Sequence, residues 1–134
     1  MNRKYKLKSS KEISLLFKEG KFLFTGNLKL VYKLVPEIEQ NICQIAISVP
    51  KRNFKKAVDR NKIKRQIRSV FSNRISDFLQ KLNYFNLKFI IIYNSKENLS
   101  FSEIEFQIIK ILNILEKEIT KAFEFKKTEN ILQA

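Results

Sequence analysis

Nine basic side chains crowd into the stretch from Lys51 to Arg68 against a single acid, Asp59, so this stretch carries +8 of the chain's net +14. They are Lys51, Arg52, Lys55, Lys56, Arg60, Lys62, Lys64, Arg65 and Arg68, and Asn61 adds a side-chain amide. Charge this dense repels itself unless an anion neutralises it, and such donors suit phosphate and ribose oxygens. Hydrolytic chemistry by the chain itself is poorly supplied. Histidine is absent, which removes the commonest general base near neutral pH and the commonest metal ligand. Glu12, Glu37, Glu39 and Asp59 form no evident metal-binding set, and Asp59 among lysines reads as a local charge partner. Cys43 has no imidazole to activate it, and Gly20 and Gly26, the only glycines, make no phosphate-cradling loop.

The remaining sequence has to position that basic stretch. At 134 residues and 44% hydrophobic composition, the chain reads as one folded domain rather than a disordered basic tail. Its charge is lopsided: residues 1–96 hold 22 basic and 6 acidic side chains, residues 97–134 hold 5 and 7. The first two-thirds must therefore meet the anion. A lone Cys43 excludes an internal disulfide and fits a buried thiol in a reducing cytoplasm. The longest clear apolar run, Phe89 to Tyr93, is far too short to span a bilayer, so no membrane role is expected.

Arg3, Lys4, Lys6, Lys8 and Lys11 make a basic leader, with residues 1–8 placed outside the folded domain. Ser9-x-x-Glu12 is a capping box, Ile13, Leu16 and Phe17 form an apolar stripe, and Gly20 stops the helix. Phe22 to Gly26 reads as a short strand ending in a turn. From Asn27 to Val35, Leu28, Leu30, Tyr32 and Leu34 alternate with Lys29, Val31 and Lys33, a second strand ended by Pro36 and the polar loop Glu37 to Asn41. Ile42 to Val49 alternates likewise, and these two strands are expected to pair as an antiparallel hairpin. After Pro50 and the loop Lys51 to Lys56, a helix runs from about Ala57 to Leu82. Its core stripe is Ile63, Ile67, Val70, Phe71, Phe78 and Leu82. Leu87 to Tyr93 is a central strand covered on both faces, joined to Ile42–Val49 by a parallel crossover. Ser100-x-x-Glu103 caps a last helix carrying Ile104, Ile108, Ile111, Leu112, Leu115 and Ile119. The domain spans 9–125, and 126–134 reads as a patternless tail.

On a helical wheel at about 100° per residue, Ile63, Ile67, Val70 and Phe71 share one arc. Lys64, Arg68, Asn61 and Arg65 fill the adjoining arc, and Arg60 stands on the core side. One helix thus lies on a core and presents contiguous cations.

The run Lys56-Ala57-Val58-Asp59-Arg60-Asn61-Lys62-Ile63-Lys64-Arg65-Gln66-Ile67-Arg68 resembles the basic signature of the bacterial ribonuclease P protein component. The likeness extends in order from Lys6-Leu7-Lys8 through Leu30-Val31-Tyr32 to Leu99-Ser100-Phe101. It implies a single α/β domain, order α-β-β-β-α-β-α, with three helices on a four-stranded, mostly antiparallel sheet and a left-handed crossover through the basic helix. It also implies an endoribonuclease whose active site is in a catalytic RNA, which cleaves precursor tRNA with Mg2+ bound mainly by that RNA. The protein would bind the catalytic RNA and the 5′ leader in the cytoplasm, with no protein partner required. Arg60, Asn61, Lys64, Arg65 and Arg68 match the family's RNA-contacting positions, with Arg60 and Asn61 near RNA-bound metal. Lys62 replaces the usual arginine, which removes a planar fork but keeps the charge. Phe17 and Tyr32 match aromatic positions of a leader-binding cleft between first helix and sheet, with plain core packing the alternative for both. Ile13, the third residue of that cleft, stands where the family commonly has an aromatic, which weakens its half. The loop Lys51 to Lys55 is longer than in many members, with Asn53-Phe54 where they carry glycine. A structural or ribosomal RNA-binding protein is the nearest rival, and a protein-only nuclease the next.

Overall fold

The computed structural model describes residues 7, 9–35, 43–81 and 86–133. The first helix, α1 (Ser10–Glu19), starts where the Ser9 side chain accepts from the Glu12 N–H at 3.3 Å, satisfying a donor that helix starts leave unpaired. It stops at Gly20, whose N–H donates to the Leu16 carbonyl at 2.8 Å. Only glycine fits there. A Cβ would lie 2.5 Å from that carbonyl oxygen and 2.8 Å from Val31 Cγ2, so glycine lets the helix end press onto the strand beneath.

Strand β1 (Lys21–Thr25) and β2 (Leu28–Val35) form an antiparallel hairpin closed by Gly26-Asn27, with Thr25 opposite Leu28. Then follow β3 (Cys43–Ser48), α2 (Ala57–Lys81), β4 (Asn86–Tyr93) and α3 (Phe101–Gln133). The sheet order is β1-β2-β4-β3, with β4 antiparallel to β2 and parallel to β3. The hairpin expected between β2 and β3 is therefore not formed. β4 carries apolar side chains on both faces and takes the central place between them, with α2 and α3 over one face and Ile90 buried beneath α1 on the other, and burial outweighs adjacency in sequence. The parallel crossover from β3 through α2 to β4 is present.

Side chains alternate across the sheet, giving it two faces. Leu28, Leu30, Tyr32, Cys43, Ile45, Leu87, Phe89, Ile91 and Tyr93 share one face with the buried stripes of α2 (Ile63, Ile67, Val70, Phe71, Phe78) and α3 (Ile104, Ile108, Ile111, Leu115). Burial pushes the Cys43 thiol up to about 12, so it stays a protonated, inert packing group. The buried Tyr93 hydroxyl donates to the Glu97 carbonyl and accepts from the Leu99 N–H, pinning the loop that leads into α3. Ser100 caps that helix by accepting from the Glu103 N–H at 3.2 Å.

Two expected boundaries move. Leu7 is buried and its N–H donates to the Ile45 carbonyl at 2.9 Å, so the folded domain includes Leu7 of the stretch expected to be a leader. Helix α3 continues through Gln133, across the boundary placed at 125. Arg3, Lys4, Lys6, Lys8, the loop 36–42 and Leu82 lie outside the described residues.

Candidate nucleic-acid interface

The second face of the sheet is best followed as rows running across the strands. Register aligns Phe24, Lys29, Ile92 and Ser48 in one row, and Phe22, Val31, Ile90 and Ala46 in the next. A third row holds Lys33, Lys88 and Gln44. Helix α1 sits on the second and third rows. Leu16 is buried with Leu7, Val31 and Ile90, and Ile13 packs at the edge of that cluster. At the ends of α1, Glu19 pairs with Lys33 and Glu12 pairs with Lys88 at 3.2 Å. The Lys33 ammonium, by hydrogen bond and then by charge, holds the Glu19 carboxyl below the usual carboxylate range.

The first row is left open. Above it lies a groove of about 450 Å³, walled by Phe17 of α1 on one side and by Pro50, Lys51 and Arg52 on the other. Phe17 is 42% exposed and Phe24 61%, which is unusual for rings on a packed sheet. The Lys29 ammonium lies 4.9 Å from the centre of the Phe22 ring and 5.6 Å from that of Phe24. The acids of α1 neutralise the lysines of the covered rows. Lys29, Lys51 and Arg52 have no acidic partner among the described residues. Aromatic faces and unneutralised cations thus converge where the sheet is uncovered, an arrangement that accepts stacked bases and their phosphates.

From this groove the chain turns round the end of the sheet. The Pro50 carbonyl accepts from the Asn53 N–H at 3.1 Å, and the Phe54 ring packs on Tyr93 with centroids 5.7 Å apart. Phe54, part of the lengthened loop, therefore anchors it to the core of the other face. Arg60 completes the anchor: its Nη1 donates to the Phe54 carbonyl at 2.8 Å and to the Lys55 carbonyl at 2.9 Å. Its position on the core side of the wheel is explained by that role. Beyond it, Asn61, Lys62 and Arg65 are exposed, Lys64 and Arg68 half-buried, and Ile63, Ile67, Val70 and Phe71 buried, as the wheel requires. Lys55 and Lys56 are exposed as well. Asp59 lies in the first turn of α2, where a carboxylate favours the positive end of the helix dipole, and pairs with no lysine among the described residues.

Of the three residues expected in the cleft, Phe17 alone lines the groove. Tyr32 is a correction. It is 4% exposed on the opposite face, and burial first, then Glu118 of α3, pushes its hydroxyl pKa up. Strand alternation is the reason: β2 turns Val31 and Lys33 toward α1 and Tyr32 away from it. Ile13 serves the contact between α1 and the sheet. Lys51 and Arg52, which open the basic stretch ahead of α2, line the groove. Phe24, Lys29, Ser48 and Ile92 were not anticipated there, although the two-residue turn at Gly26-Asn27 dictates the pairing of Phe24 with Lys29. Among the described residues, no three His, Cys, Asp or Glu side chains could hold a metal ion.

A small α/β domain with a basic helix and an open, aromatic-lined sheet row is a nucleic-acid-binding design. A family model described as Ribonuclease P matches residues 1–116. The ribonuclease P protein component of Acholeplasma laidlawii is 36% identical over 124 residues, covering 88% of this chain and 97% of that protein. The ribonuclease P protein of Staphylococcus aureus superposes with a TM-score of 0.65 at 24% identity, over 83% of this chain and 94% of that one. The Thermotoga maritima protein does so at 0.64 and 20% identity, over 80% and 94%. The chain belongs to the ribonuclease P protein family.

Proposed function

We propose that this chain is the protein subunit of ribonuclease P, binding the catalytic RNA through the polar arc of α2 and the 5′ leader of precursor tRNA through the open sheet row. The observation that carries this reading is the uncovered row Phe24–Lys29–Ile92–Ser48, flanked by Phe17, Lys51 and Arg52. A leader is single-stranded, so its bases are free to stack on rings and its phosphates to meet ammonium and guanidinium groups, with little dependence on sequence. The exposed Asn61, Lys62 and Arg65 suit the backbone of a structured RNA, where contacts position rather than specify. In this reading the cut is made by the RNA, and the protein raises substrate affinity by holding the leader in line. Magnesium would supply charge stabilisation and an activated water at the scissile phosphate. In this reading the ion is held mainly by the RNA. No helix among the described residues is long and apolar enough to cross a membrane, and the cytoplasm is the proposed compartment.

Reconstitution tests this. The protein added to a cognate catalytic RNA at low magnesium should restore cleavage of precursor tRNA at the mature 5′ end. No stimulation would overturn the reading, and cleavage by the protein alone would move the active site into the chain.

A further inference from the structure

The open row has two ends. One lies at Lys51 and Arg52, which continue along the loop into α2. The other lies at the free edge of β1, because β1 is the outermost strand on that side. Crossing the row takes three inter-strand steps, about 14 Å at ordinary strand spacing, which accommodates only a few nucleotides. A longer single strand that runs away from Lys51 and Arg52 leaves the groove over the β1 edge.

That edge is not plain. Phe24 stands at the end of the open row, and Phe22 at the end of the adjacent one, past the shelter of α1. Both rings are exposed, and Phe22 does not line the groove. They are two residues apart on one face, a rise of roughly 7 Å, comparable to one step of an unstacked polynucleotide. The Lys29 ammonium touches both rings and has no acidic partner among the described residues, so an unneutralised cation sits at their seam. Exposed aromatics on an edge strand invite strand pairing between copies. What favours RNA as the occupant is this cation, which opposes self-association and attracts phosphate.

We propose that Phe22, outside the groove and beside Lys29 and Phe24 at its rim, forms a further stacking platform for a leader nucleotide upstream of those held in the groove. The platform rests on the reading that the groove holds the leader, and it adds a length dependence to it. Short leaders end inside the groove. Longer ones gain affinity by placing one more base on Phe22, its phosphate beside Lys29.

The test is a series of precursor tRNAs with leaders from one to about ten nucleotides, bound to the reconstituted holoenzyme. For the wild type, affinity should rise with leader length in two stages. Phe22→Ala should remove the second stage, a loss of roughly fivefold or more for one stacked base, and leave short-leader affinity unchanged. Phe22→Trp should retain it, and Phe22→Leu, which keeps an apolar side chain without a ring face, should not. Equal affinity losses at every length, or none at any length, would overturn the platform alone. A wild-type holoenzyme with no preference for leaders of any length would overturn the groove reading and the platform with it. Self-association of the wild type that Phe22→Ala abolishes, without any change in leader affinity, would reassign the edge to a contact between copies.

Discussion

The two faces of one sheet differ in what covers them. Two long helices close the face that carries Tyr32, Phe89 and Ile91, and almost every side chain there is apolar and buried. On the other face a single helix of 10 residues seats only Leu16 deeply and leaves a whole cross-strand row open. The closed face supplies the burial that holds the domain together. Freed from that task, the other can expose rings and cations. The difference explains why aromatic residues of one hairpin have unlike roles: Phe22 and Phe24 point to the open face, Tyr32 to the closed one.

The comparison can be broken by mutation. The largest effect should come from the closed face: Phe71→Ala should lower stability by about 3–5 kcal/mol in chemical denaturation, as large-to-small core changes do. Tyr32→Ala should fall in the same class. Where it still folds, its affinity should drop no more for leader-bearing than for leaderless tRNA. A selective loss for leader-bearing substrate would return Tyr32 to the cleft. A smaller effect is expected where α1 meets the open face. Gly20→Ala forces a Cβ against Leu16 and Val31, and should cost about 1–3 kcal/mol by overpacking. An unchanged melting temperature would show that the helix end can lift without penalty.

Much of this was legible in the sequence because it rests on local periodicity. The caps at Ser9 and Ser100, the buried stripe of α2 and the central place of β4 all follow from local patterning alone. Strand order did not. Whether β3 pairs with β2 or with β4 is decided by how much apolar surface each arrangement covers, which no local pattern states. The site was half legible for the same reason. The cations of α2 are consecutive and visible as a motif, whereas the groove is assembled from four strands, a helix and a loop that meet only through register. Arg60 illustrates the limit: its place in the motif suggests RNA, but its hydrogen bonds to the Phe54 and Lys55 carbonyls make it the residue that positions the basic loop.

The central claim is that the open row holds a single strand. It is tested most directly by the affinity of the reconstituted holoenzyme for precursor tRNA and for the same tRNA without its leader, comparing wild type with Phe17→Ala. Phe17 is exposed, so the variant should fold with stability within about 0.5 kcal/mol of wild type. Affinity for the leader-bearing substrate should fall roughly fivefold or more, as for loss of one stacked base, while leaderless tRNA binds as before. Equal losses on the two substrates, or no loss on either, would contradict the account.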